Sequence, residues 1–211
     1  MADLVRFTET MRGWLSPHPG MTHEDADAAG RAARTELVCI LTVVTPDVDR
    51  MVADPDHRSP AFGCLLAPAL HPEPLRVEHG HLDLFVDAAP GGRVLHMRYG
   101  LRAVDVDGRT WFLRGIKEVV RRRWFPTGLV DTTTLFTDVW EGPDPVGTPR
   151  WRGILRMGPV GVVAQGLSFR GEGAMAGLAG IVRFMAYYLR RVTAVYLGPR
   201  TAPPRAEWAR R

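Results

Sequence analysis

The stretch Leu95–Val119, LHMRYGLRAVDVDGRTWFLRGIKEV, decides the architecture. Two runs of alternating apolar and polar residues meet at Asp107-Gly108, a dipeptide that marks a hairpin. Two registers compete. A two-residue turn pairs Val106 with Arg109 and sets Tyr99 against Ile116. A three-residue turn, with Gly108 left-handed, pairs Asp105 with Arg109 instead. It then sets Ala103 opposite Trp111, Leu101 opposite Leu113, Tyr99 opposite Gly115, Met97 opposite Lys117 and Leu95 opposite Val119. Only this second register segregates most apolar side chains from His96, Arg98, Arg114 and Glu118, and a slip of one residue would exchange the two faces. The second register is therefore expected. Its consequence is that Lys117, the single lysine of the chain, points inward among Leu95, Met97 and Val119.

The same period extends outward from this hairpin. Further strand patterns cover Val5–Leu15, Arg34–Thr45, Ser59–Leu66, Arg76–Asp87, Asp131–Trp140 and Arg150–Met157, with the hairpin arms spanning Arg93–Asp105 and Arg109–Val120. Pro90-Gly91-Gly92 marks another turn. Residues 16–33 are polar and punctuated by proline and glycine, which predicts a long mobile loop. Thr45-Pro46-Asp47 reads as a helix start, with a short helix over Val48–Ala53. About eight antiparallel strands in up-and-down order predict a mainly β (α+β) fold, a lipocalin-like barrel able to hold one small ligand. From Gly173 to Leu197 the period changes. Met175, Leu178, Ile181, Val182, Met185, Leu189, Val192 and Val195 recur at helical spacing, so a C-terminal amphipathic helix is expected to pack on the barrel or plug one mouth. A membrane-surface helix and a homodimer seam are the alternative roles. The division is then a barrel domain over 1–158, a helical segment over 159–198 and a flexible tail over 199–211.

Composition narrows the class. Of 211 residues, 45% are apolar and 24% charged, which excludes a disordered chain. Two cysteines, Cys39 and Cys64, exclude a disulfide scaffold and a four-cysteine zinc site. The 27 basic residues are arginines apart from Lys117. They are scattered, save for Arg121-Arg122-Arg123 before Trp124-Phe125, and no nucleic-acid motif accompanies them, so a nucleic-acid partner is not expected. Arginines interrupt the C-terminal apolar run, which argues against an integral membrane span. The opening MADLVRFTETMRGW lacks a basic leader, and a cytoplasmic address is the expectation.

An unpaired buried ammonium costs several kcal/mol, so an inward Lys117 has a carboxylate nearby, sits at a wet rim, or is used by the site. Glu9, on the Phe7-Glu9-Met11 face of the first strand, is the preferred carboxylate. Asp83 ranks second, because Leu82-Leu84-Val86 makes the better internal face of its strand. A Lys–Glu pair that only fixes the barrel geometry is the alternative to a reactive one. The candidate catalytic set is therefore Glu9, Tyr99 and Lys117. The candidate substrate lining is Phe7, Met11, Asp83, Met97, Trp111, Leu113, Thr134 and Phe136. His79-Gly80-His81 with Asp83 has metal-ligand alternation, but Phe85 stands where a fourth ligand belongs, and no metal is expected. There is no dinucleotide fingerprint, phosphate loop or nucleophile elbow, and no cofactor is expected.

Phe7-Thr8-Glu9-Thr10-Met11-Arg12-Gly13, Met97-Arg98-Tyr99, Asp107-Gly108 with Gly115-Ile116-Lys117, and Asp131-Thr132-Thr133-Thr134-Leu135-Phe136 carry a resemblance. Together, over roughly residues 5–158, they resemble a small domain attached to cholesterol-oxidase-like (GMC-type) flavin oxidoreductases and lipid hydrolases of actinobacteria. The flavin-binding half is not part of the match, so the resemblance implies no oxidase activity. It implies a lipid- or polyketide-like hydrophobic ligand. By architecture alone the chain also looks like β-barrel polyketide cyclases of antibiotic biosynthesis. The expected function is a cofactor-independent cyclase, forming a [4+2] adduct or an ether ring on a hydrophobic intermediate held in the barrel. The alternative is a non-catalytic sterol- or lipid-binding module serving a partner enzyme.

Overall fold

In the computed structural model, which describes residues 4–17, 20–88, 94–120, 133–172 and 174–197, each strand pairs antiparallel with its successor and the eighth returns to the first. The strands are β1 (Val5–Ser16), β2 (Glu36–Thr45), β3 (Arg58–Leu66), β4 (Leu75–Asp87), β5 (Leu95–Val104), β6 (Thr110–Val119), β7 (Thr134–Glu141) and β8 (Trp151–Arg156). Pairing of β1 with both β2 and β8 closes an eight-stranded barrel, which removes the exposed sheet edges. A two-residue β9 (Arg170–Gly171) adds to the start of β1. The helices are α1 (His23–Ala33), α2 (Val48–Ala53), α3 (Pro159–Ser168) and α4 (Ala174–Leu197).

The hairpin adopts the expected register at every pair from Leu95–Val119 to Ala103–Trp111. Gly108 has φ of 80°, and the Asp105 carboxylate locks the turn by accepting from the Asp107 and Arg109 amides at 3.0 and 2.8 Å. On β4, Leu82 and Leu84 are buried as the apolar pattern requires. A bulge between Asp83 and Val86 then turns Phe85 into the core as well, at φ of 54°.

β1 and β8, the pair that completes the barrel, approach each other closely at two glycines. A Cβ at Gly13 would lie 1.8 Å from the Ile154 carbonyl oxygen, and one at Gly153 would lie 1.9 Å from that of Trp14. Both contacts are to backbone, which cannot rotate away. These glycines are what lets the cylinder shut.

Three expectations are corrected. The polar stretch 16–33 is largely helix: Thr22 caps α1 by accepting from the Asp25 amide, acidic residues fill the first turn, and alanine dominates the body. Proline and glycine mark only its approach. The cap of α2 is Asp47, with Pro46 outside the helix. The apolar stripe read on α4 divides between two faces, because Phe184, Tyr187, Val192 and Val195 pack inward while Leu178, Val182 and Leu189 are exposed. The Pro90-Gly91-Gly92 turn, the Arg121–Arg123 run with Trp124-Phe125, and the tail from 199 onward lie outside the described residues.

Helix α1 is pinned to the outer wall of the barrel by buried charge. Asp138 on β7 accepts from Arg152 at 2.7 Å and from Arg114 at 3.2 Å, with His23 of α1 at 3.4 Å. Burial alone would raise the Asp138 carboxyl, but His23 and Arg152 outweigh it and hold it below its usual range.

Two outcomes follow from these packing facts. Gly13→Ala should lower unfolding free energy by about 3 kcal/mol or more in urea titrations, because backbone must move. The depressed Asp138 carboxyl contributes stability above its ordinary value of 3.8, and this is lost as pH falls through the lower folded value. Asp138→Asn should therefore reduce stability near neutrality and flatten the acid limb of a stability–pH profile.

Candidate functional site

Alternation along β1 turns Phe7, Glu9 and Met11 into the barrel, and the hairpin register turns Met97, Tyr99, Leu113 and Lys117 toward them. Glu9, Tyr99 and Lys117 are each 1% exposed. The Lys117 ammonium donates to Glu9 Oε2 at 3.2 Å, and the Tyr99 hydroxyl donates to the same oxygen at 3.3 Å. Lys117 Nζ also sits 4.9 Å from the centre of the Tyr99 ring, within cation–π range. The three residues expected to act together do meet. A fourth, Gln165 on α3, brings Nε2 within 3.5 Å of Glu9 Oε2.

The other Glu9 oxygen, Oε1, is buried and has no hydrogen-bond donor among the described residues. A carboxylate oxygen in that state carries its desolvation cost without compensation. Burial, then the Glu9 charge and its hydrogen bond, push the Tyr99 phenol well above its ordinary value, so it remains a donor. Cys39, beside Met11, is raised by burial first and by Glu9 second, which keeps its thiol protonated and inert.

Above this trio lies a cavity of about 200 Å³ between the barrel mouth and helices α3 and α4. Phe7, Leu84, Met97 and Lys117 form its barrel side. Gln165 and Phe169, then Phe184, Met185 and Tyr188, close it from above. Among the described residues, Lys117 is the one charged member of the lining. Deeper in the lumen, Met11, Leu41, Leu113 and Leu135 are fully buried core. The roomy cylinder expected from strand number is thus confined to one end, because long side chains meet across an eight-stranded barrel.

Several predicted lining residues lie elsewhere. Trp111 faces inward but six positions along β6 from Lys117, about 20 Å away by strand rise, where its indole donates to Asp105 at 3.4 Å. Asp83 is on the outer side of β4, held by Arg58 in a two-point pair at 2.7 and 3.1 Å. Thr134 and Phe136 alternate with inward Leu135 and Thr137, so they face out, and Phe136 packs edge-on against His23 of α1 at 5.6 Å. Gln165, Phe169 and Phe184 were missed. Their segment carries no strand period, and only packing of the helices over the mouth brings them in.

Among the described residues, no three His, Cys, Asp or Glu side chains gather to hold a metal ion, and no helix is long and apolar enough to cross a membrane. No protein-family model, curated protein or solved structure matches the chain.

The buried pair makes a direct prediction. Lys117→Met strands a carboxylate in the core and should cost about 3–5 kcal/mol in chemical denaturation, whereas the Glu9→Gln/Lys117→Met double variant should recover most of it. A single-variant loss below about 1 kcal/mol would mean that the ammonium is solvated.

Proposed function

We propose that the chain is a cofactor-independent cyclase for a hydrophobic, polyketide-like intermediate bound at the Lys117 end of the barrel. One observation carries this reading: an apolar cavity lined by an ammonium that is compensated from beneath by Glu9, one of whose oxygens is buried and has no donor among the described residues. Apolar walls with a few convergent polar groups are what ligand sites share. A substrate carbonyl approaching Lys117 receives a charge-assisted hydrogen bond, and a substrate hydroxyl can donate to Glu9 Oε1.

Two ring closures suit these groups. In a [4+2] closure two σ bonds form at the expense of two π bonds and no proton is transferred. Lys117 need only polarise the carbonyl conjugated to one partner, while the walls hold a folded conformer. In an ether closure the hydroxyl oxygen adds to the β carbon of an activated alkene, and its proton passes by way of Glu9 to the α carbon. A full-length intermediate exceeds the cavity of about 200 Å³, so α3, none of whose residues is buried, is the element that must move to admit it. The reaction belongs to the lyase or isomerase type, and a cytoplasmic setting suits it.

The second reading is a carrier for a sterol or acyl chain, in line with the lipid-associated domain that the motifs resemble. It is favoured by the mutual neutralisation of Glu9 and Lys117, which a binder needs and a strong base does not.

Incubation with linear polyene β-keto substrates separates the two. A cyclase should convert them without change of mass, and Lys117→Met should lose about 100-fold in turnover while affinity falls less than about tenfold. Binding with no conversion by the native chain supports the carrier. Failure of any apolar ligand to raise the melting temperature removes both.

A further inference from the structure

Helix α3, PVGVVAQGLS, contains no charged residue and buries none of its residues. Val162, Gln165 and Gly166 face the cavity, whereas Val160, Val163 and Leu167, spaced three and four apart, form a ridge on the opposite side. These three are 81%, 63% and 72% exposed. A helix that is apolar all round belongs inside a core or against a lipid phase, and here one face has no core. The exposed apolar surface continues on α4. Val182, Met185 and Leu189 share one side of that helix; Met185 lines the cavity and the other two are exposed, with Leu178 one turn before Val182. Both ridges thus lie on the helices that roof the cavity. An uncovered apolar surface of this extent marks an interaction site.

Charge selects the occupant. Between residues 159 and 197 stand four arginines, Arg170, Arg183, Arg190 and Arg191, against one acid, Glu172. Arg170 closes the end of α3 by donating to the Leu167 and Phe169 carbonyls, and it is exposed. Arg183 and Arg190 are exposed beside Val182 and Leu189. Arg6, paired with Arg170 across β1 and β9, adds another exposed cation. Arg183 pairs with Asp49 at 2.9 Å and Arg191 lies 3.5 Å from Asp87, which leaves Arg6, Arg170 and Arg190 against Glu172, and an isologous pairing of two copies would bring those cations together. An anionic bilayer offers both the apolar phase and the counter-charge.

We propose that the α3–α4 face docks on an anionic lipid surface, with its apolar ridges in the acyl boundary and its arginines among the headgroups. The cavity mouth then opens at the interface, and an apolar ligand enters from the lipid without crossing water. That entry route rests on the ligand-binding reading above; docking itself does not.

The test is co-sedimentation of the full chain with phosphatidylcholine vesicles, with and without phosphatidylglycerol. Binding is expected to the anionic vesicles, to weaken with added salt, and to fall by about tenfold or more in Val163→Glu/Leu167→Glu. Both positions are exposed and neither lines the cavity, so folding and solution binding of a small apolar ligand should persist in that variant. Lys117→Met, where folded, should sediment like the native chain. Vesicle binding without ligand binding would leave docking standing and remove the cavity function. The proposal is overturned if the native chain ignores both vesicle types or if the double variant binds them equally well. A concentration-dependent dimer that the double variant splits would overturn it too, making the face a contact between copies.

Discussion

An ammonium held in the interior of a small barrel sets the terms for much of this structure. Lys117 lies on β6 and its carboxylate partner on β1, which are not neighbours in the sheet. The two meet only because the sheet curls until those strands face each other across the lumen. Closure in turn rests on β1 and β8 coming together at Gly13 and Gly153, where no side chain fits. The charge pair and the two glycines are thus parts of one constraint. The barrel must shut for Lys117 to be compensated, and β1 and β8 pair with no Cβ at Gly13 and Gly153, where each would meet backbone.

Such a pair is a poor device for stability, since desolvating both ions offsets much of their attraction. Its position is better understood through the cavity above it. Apolar walls from the barrel and from α3 and α4 leave Lys117, among the described residues, as the one charged group in contact with that space. Glu9 Oε2 collects the donors while Oε1 has none among the described residues. Polarity is concentrated at the floor, and the route out leads past a roof of helices whose outer surface is itself apolar. Ligand chemistry and lipid docking are therefore two aspects of how the chain distributes apolar surface at one end.

Legibility in the sequence followed the range of the interactions involved. The Asp107-Gly108 hairpin was readable to the residue because its register depends on turn chemistry and on alternation across a few adjacent positions. From that register the inward direction of Lys117 and Tyr99 followed, and alternation on β1 singled out Glu9. Helix α1 was misread because proline and glycine in its approach obscured a Thr22 cap and an alanine-rich body. Thr134 and Phe136 were assigned to the lumen although alternation with Leu135 and Thr137 puts them outside. The Phe136 ring serves the α1 contact, and a barrel partly clothed by helices needs apolar residues on both faces of a strand. Asp83 was kept as a second carboxylate although the Leu82-Leu84-Val86 face read as the internal one, and its pair with Arg58 holds it on the outer face.

What the sequence determined by itself was the set of strands, the hairpin register and an inward Lys117 whose burial calls for a carboxylate, a wet rim or a use in the site. These rest on period, turn geometry and the cost of burying charge, all of which act locally or on a single residue. Only the tertiary structure decided that the lumen is filled at one end and open at the other, that Gln165 reaches Glu9, and that one side of α3 has no cover. Each of these depends on how elements distant in the chain share a limited volume, and no window of sequence contains that information.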